Sequence, residues 1–292
     1  MGLQLPARTG SKRRTRRLSL LALLSLGLVV LTGCSGEGER LAMPEPATEQ
    51  GEHILSLWQG AWIAALLTGA LVWGLIFYAA WRFHRRSDDE VPIQTRYNLP
   101  LEIFYTIFPV IMVIVFFAHT VDVQNTVLDD EGEADHEITV VGQQWSWTFN
   151  YPHESDEGAW VWEGGTAAII PTLVIPVGET TQFNLVSADV IHDFGVPGFL
   201  MKMDVMPGQD NSFRVTPKTT GTFKGKCFEL CGVSHSRMLF NVEVVSAEEY
   251  AAYLQHLEDA GATSEFPLLG GENASTQAGL ESSEEEFEEG AE

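Results

Sequence analysis

Cysteine, basic residues beyond the N-terminal stretch, and charge of either sign along two long segments are what this 292-residue chain has little of. Three cysteines are too few to build a disulfide-stapled scaffold. No Cys-x-x-Cys-His occurs, so a fused c-type haem domain is absent. Residues 121–292 hold six Lys+Arg against 31 Asp+Glu, a surplus of 25 negative charges. Nucleic-acid binding needs basic surface to displace counterions from phosphates, so nucleic acid is excluded as a partner; a cation or a basic protein suits this portion better. Apolar residues still make up 45% of the chain, which places it among folded proteins of one or two domains.

Basic charge gathers instead at the start, where residues 1–40 carry seven Lys+Arg. Lys12 to Arg17 is followed by an apolar run from Leu18 to Leu31 and then by Gly33-Cys34. A basic region, a short apolar region and small residues before a lone cysteine read as an export signal over 1–33. The pattern resembles a bacterial lipobox, which implies that Cys34 is lipidated and becomes the mature N-terminus. The Arg16-Arg17 pair is compatible with twin-arginine export as well as the general route. Residues 34–52 then form an exported linker.

Between His53 and Trp81 there is no Asp, Glu, Lys or Arg, and a second apolar span runs from Leu101 to Val121 around Pro109. Each is long enough to cross a bilayer, and Trp58, Trp62, Tyr78 and Trp81 mark the ends of the first. Pro109 removes a backbone donor and predicts a kink. Arg82, Arg85, Arg86 and Arg96 place the intervening loop in the cytoplasm, so residues 53–121 form a hairpin with both ends outside. Two helices where one would anchor point to docking against other membrane helices. Glu102, at the edge of the second span, reads either as a helix-start acid or as a proton-admitting group.

From Glu137 the apolar pattern shortens and alternates. Trp145, Trp147, Phe149 and Tyr151 fall at period two. Further strands are predicted at Leu173–Val177, Thr181–Val186, Ser212–Val215, Thr222–Cys227 and Met238–Val245, with Gly, Pro, Asn and Asp between them. Short strands at this density predict an all-β sandwich or Greek-key barrel over 122–260. Ser246 and Glu249 form a capping box that starts a closing helix. Residues 261–292 are Gly-, Ser- and acid-rich and are predicted to be disordered.

One loop concentrates the chemistry. Residues 227–238 read Cys-Phe-Glu-Leu-Cys-Gly-Val-Ser-His-Ser-Arg-Met. Thiolate, imidazole and thioether together are a soft donor set suited to copper. Two thiolates can bridge two metals, and a charge shared between two ions suits electron transfer. A second imidazole would come from His192, which follows an apolar strand and precedes a Gly/Pro turn, as suits a ligand delivered from an adjacent loop. A Cys227–Cys231 disulfide and a zinc site are the competing readings; zinc rarely recruits methionine.

This loop resembles the CuA signature of cytochrome c oxidase subunit II. Gly142-Gln143-Gln144-Trp145-Ser146-Trp147, Asp189-Val190-Ile191-His192 and the two preceding spans match that family in order. The resemblance implies a cupredoxin-like Greek-key sandwich on the outer side of a bacterial membrane. It further implies a dinuclear copper centre held by His192, Cys227, Cys231, His235 and Met238, with Glu229 giving its backbone carbonyl to copper. The Glu229 carboxylate would bind a magnesium or manganese shared with the catalytic subunit I. Cytochrome c, or a cytochrome c domain, would deliver electrons through Trp145; haem in subunit I would receive them for proton-pumping oxygen reduction. Glu102 would stand at the mouth of a proton channel. Phe194 and Ser146 depart from the commoner Trp and Tyr of the family, at positions that are not ligands. A quinol oxidase subunit lacks the copper ligands, and a nitrous oxide reductase needs a large catalytic domain. Acids near the site (Glu154, Asp156, Glu157, Asp189) are expected to steer a basic donor, and Trp147 is expected in the core.

Overall fold

The computed structural model describes residues 38–87, 89–153, 159–166 and 168–270. The signal segment, Cys34, Glu154, Asp156, Glu157 and residues 271–292 lie outside the described residues. Chain contacts divide the protein into Met1–Glu45 and Pro46–Glu292, and the helices and strands that follow belong to the second unit.

Helix α1 (Glu49–Arg82) starts where the Thr48 side chain accepts the Gly51 N–H, and it runs through the charge-free stretch. Helix α2 (Leu99–Val127) starts at Asn98, whose side chain accepts the Leu101 N–H, with Pro100 in the first turn. The Glu102 carboxylate accepts the Asn98 N–H at 2.9 Å. Helix α2 continues through Pro109 and past the predicted end at Val121. Nothing in Asp122–Val127 breaks a helix, and Val123 and Val127 are buried against the sandwich. Along most of the hairpin the large apolar side chains face outward; Leu67 is 68% exposed and Phe117 69%. Apolar surface on this scale belongs against lipid or other membrane helices.

The rest is a two-sheet sandwich. A six-stranded sheet has the order β11-β3-β2-β1-β5-β8, built from β1 (His136–Gln143), β2 (Ser146–Pro152), β3 (Trp160–Gly164), β5 (Thr181–Ser187), β8 (Asn211–Val215) and β11 (Thr263–Ser264). A five-stranded sheet has the order β4-β10-β9-β6-β7, from β4 (Thr172–Pro176), β6 (His192–Val196), β7 (Met201–Val205), β9 (Gly221–Cys227) and β10 (Leu239–Val245). The pairs β1–β5 and β4–β10 are parallel and the others antiparallel. Helix α3 (Ala247–Asp259) follows, with the expected Ser246–Glu249 capping box in place.

Aromatics from both sheets fill the interior. Phe194 stacks on Phe240 with centroids 4.6 Å apart and meets Trp147, Phe149, Phe183 and Phe213 at its edges and faces. Trp147 is 1% exposed, as expected of a core residue.

Three features differ from the sequence expectations. Strands β3 and β6 carry no clear alternation, and β6 is buried at all five positions, so it has no solvent face to pattern; β7 does alternate, with Met201, Met203 and Val205 against Lys202 and Asp204, but is not among the predicted strands. Trp145 sits in the β1–β2 turn and not in a strand. Residues 261–270 are not a disordered tail root. Thr263–Ser264 pairs with β3, and Asn150 holds Leu268 by two hydrogen bonds, Leu268 N–H to Oδ1 at 2.8 Å and Nδ2–H to the Leu268 carbonyl at 3.1 Å. A fully buried side-chain amide satisfied by backbone supplies the ordering that the composition of the segment does not.

Candidate metal centre

His192 opens β6 and Cys227 closes β9, adjacent antiparallel strands whose register pairs Phe194 with Cys227. The sandwich core beneath them fixes both side chains, 0% and 3% exposed. His192 is therefore a strand residue, not the loop residue that its neighbours indicated. The chain leaves β9 into the 228–238 loop, turns through a short 3-10 segment at His235–Arg237, and returns as Met238, whose carbonyl accepts the Cys227 N–H at 3.0 Å. That bond closes the loop at its neck and brings the distant donors over the strand ends.

Five predicted side chains converge. The sulfurs of Cys227 and Cys231 lie 3.8 Å apart and are not joined, which sets aside the disulfide. His192 Nδ1 is 3.9 Å from the Cys227 sulfur, and His235 Nδ1 is 3.5 Å from that of Cys231. The Met238 sulfur is 3.7 Å from Cys231, and the Glu229 carbonyl is 3.2 Å from the Cys227 sulfur. Each thiol thus has one imidazole beside it, with a thioether and a carbonyl on the flanks. Cys227, Cys231 and Met238 are buried, His235 is half-buried and Glu229 is exposed. His192, Cys227 and Cys231 bring their ligating atoms within 4.8 Å of one another. Two buried sulfurs without a bond between them, each paired with an imidazole, fit a soft metal and fit copper in particular.

The protonation pattern agrees with a site that expects positive charge. Burial opposes ionisation of Cys227, but the His192 imidazole and neighbouring backbone outweigh it and hold the thiol below its ordinary range. Burial and then the nearby Cys227 sulfur push the Cys231 thiol up to about 12. A metal that displaces both protons removes that conflict.

The β1–β2 turn braces the loop from outside. Gln144 Nε2 and the Trp145 indole N–H both donate to the Cys231 carbonyl, at 2.6 and 3.2 Å. A side chain on Gly232 (φ +126) would run into those same two residues. Trp145 is half-buried and links the protein surface to the backbone of a ligand. Beyond the loop rim, Leu230 and Val233 are 77% and 92% exposed. Glu102 lies far from this centre in sequence and in the fold, at the start of α2, where it caps Asn98.

Asp189 is the residue misread from sequence. It was expected as a surface charge, yet its side chain is 3% exposed and its Oδ1 lies 2.8 Å from His192 Nε2. Burial works against its charge, but hydrogen bonds from His192, Gln144 and Val190 outweigh it and keep the carboxyl below the usual carboxylate range. An acid three residues before a candidate ligand histidine is the signal that could have pointed to this role. Asp193, on β6, is likewise buried; burial raises its carboxyl, and its hydrogen bond from Lys202 only partly offsets this.

Comparisons with known proteins identify the relatives of this chain. Residues 136–245 match the family model of the cytochrome c oxidase subunit II periplasmic domain, and residues 37–122 that of its transmembrane domain. A probable cytochrome c oxidase subunit 2 of Streptomyces avermitilis is 47% identical, covering 88% of this chain and 92% of that protein. Cytochrome c oxidase subunit 2 of Mycobacterium bovis is 35% identical, covering 88% and 86%. Among solved structures, the periplasmic domain of the Bradyrhizobium japonicum subunit II is 31% identical, covering 44% of this chain and 97% of that chain, with a TM-score of 0.40. Donor set, two-helix hairpin, sandwich and relatives of nearly full length converge: the chain belongs to the cytochrome c oxidase subunit II family, a membrane protein whose outward-facing domain carries a CuA-type copper site.

Proposed function

We propose that this chain is the electron-accepting subunit of a respiratory cytochrome c oxidase, receiving electrons from cytochrome c or a cytochrome c domain. The single observation that carries the reading is the meeting of two unbonded thiols, two imidazoles and a thioether over the ends of β6 and β9. His192, Cys227, Cys231, His235, Met238 and the Glu229 carbonyl would hold a dinuclear copper centre. That centre supplies a one-electron carrier whose charge is spread over two ions. The protein's own part is to keep the donors in place. Strand ends hold His192 and Cys227, the loop neck holds Met238, and the β1–β2 turn holds Cys231. Burial excludes water, so little solvent must reorganise when charge arrives.

Trp145 is the point at which electrons are taken up. Its ring is partly open to a partner while its N–H bonds the Cys231 carbonyl, and the exposed Leu230 and Val233 give a docking partner apolar contact. Transfer onward goes to haem in catalytic subunit I, where oxygen reduction is coupled to proton pumping. The exposed Glu229 carboxylate is free to reach a magnesium or manganese shared with that subunit, since hard oxygen suits such ions. Glu102 admits protons at the cytoplasmic end of α2. Residues 1–33 are removed on export and Cys34 is lipidated, for which the intact mass of the mature chain is the check: any start other than Cys34 rejects it.

The test of the central reading is metal analysis with electron paramagnetic resonance on the full chain and on Cys227→Ser. The parent is expected to hold two coppers that share one unpaired electron, and the variant to lose that signal. One zinc in the parent, or a Cys227–Cys231 disulfide under mild reduction, overturns it.

A further inference from the structure

A single carboxylate links the strand-held and loop-held parts of the centre. Asp189 Oδ1 lies 2.8 Å from His192 Nε2 and accepts the Val190 N–H at 2.6 Å, while Oδ2 accepts the Gln144 N–H at 2.7 Å. The opposite ring nitrogen, Nδ1, faces the Cys227 sulfur at 3.9 Å. An imidazole bonded to a carboxylate through Nε2 carries its proton there, which leaves the Nδ1 lone pair open to a metal. Gln144, whose N–H completes the carboxylate, also donates its side chain to the Cys231 carbonyl at 2.6 Å. The chain of contacts therefore runs from His192 through Asp189 and Gln144 to Cys231.

We propose that Asp189 is the positioning residue of the centre. It selects the Nε2–H form of His192, aims Nδ1 at the thiol pair, and fixes the turn that braces Cys231. The proposal rests on the copper reading above. The Asp189 side chain is 3% exposed and accepts three hydrogen bonds, so it is built into the centre. Asparagine cannot take its place. With the amide oxygen toward His192, its NH2 meets the Gln144 N–H, donor against donor. Turned over, the NH2 meets Nε2 and favours the wrong tautomer.

Two measurements on the full-length chain in detergent decide the matter. In the metal-free parent, titrated to a pH at which the His192 ring is neutral, ¹⁵N shifts of labelled histidine report which nitrogen of His192 keeps its proton. Nε2–H is expected, and Nδ1–H overturns the proposal whether or not any variant folds. In the copper-loaded chain, Asp189→Asn is expected to retain copper about 10- to 100-fold less well against a chelator. It is also expected to lose the slowly exchanging Nε2–H resonance of the parent. Parent-level retention or a parent-like resonance in the variant overturns the proposal. A parent that takes up no copper fails the copper reading instead, and leaves the tautomer result standing.

Discussion

Two halves of the metal centre are held by different means. His192 and Cys227 stand on paired strands whose undersides are packed against Phe194, Phe240 and Trp147. Cys231, His235 and Met238 stand on a loop held by a handful of hydrogen bonds, most of them to backbone. The first half inherits its rigidity from the core. The second borrows it from a neighbouring turn. Substitutions should therefore separate the two: core changes lower global stability together with the site, and turn changes loosen the site alone.

Phe194→Ala should have the largest effect. It empties the centre of the aromatic core, and loss of a buried phenylalanine costs about 3–5 kcal/mol. Thermal unfolding should show a large drop in Tm with copper loss tracking unfolding. A Tm close to the parent would mean that the strand-held half does not depend on the core. Gly232→Ala should cost less and act locally. Positive φ strains an L residue by about 1–3 kcal/mol, and the new methyl meets Gln144 and Trp145. Copper retention should fall while Tm moves little; equal falls in both would erase the distinction between the halves.

Trp145→Phe keeps a ring and removes one donor to the Cys231 carbonyl, while Gln144 keeps the other. Its stability cost should be about 1 kcal/mol. Electron uptake from a cytochrome should slow with little change in docking affinity, as followed by flash kinetics and binding assays. Parent-like uptake would reject Trp145 as the gate. Glu102→Ala should leave both halves and the copper spectrum untouched. Slower turnover of the assembled oxidase would support proton admission; unchanged turnover would leave Glu102 as the acid that caps Asn98.

Much of this could be read from the residues alone. The spacing from Cys227 to Met238 supplies four of the candidate donor side chains because a tight loop must bring near neighbours together. Charge-free length marks a membrane helix because crossing the hydrocarbon core takes about 20 apolar residues in a row. What escaped depends on contacts between distant segments. Strand β6 has no alternating pattern because both its faces are covered. Thr263–Ser264 is a two-residue strand whose order comes from β3 and, further on, from Asn150. Asp189 read as a surface acid because composition counts charges without knowing which of them have partners.

The first turn of α1 carries a consequence for how this protein is handled. Its flank is stitched to the sandwich: Ala47 N–H to the Gly198 carbonyl at 2.8 Å, Lys218 N–H to the Ala47 carbonyl at 2.8 Å, Thr216 N–H to Gln50 Oε1 at 3.0 Å, and an ion pair between Lys218 and Glu52. Gly51 is buried there, where a methyl group would meet the Phe199 carbonyl. A soluble fragment cut after α2 discards this seam. It leaves those backbone groups to solvent and uncovers the surface around Phe199, a sticky patch absent from the intact chain. Retaining residues 46–52 as an added peptide, or joining them by a short linker to the fragment, should restore the cover without any part of the membrane span.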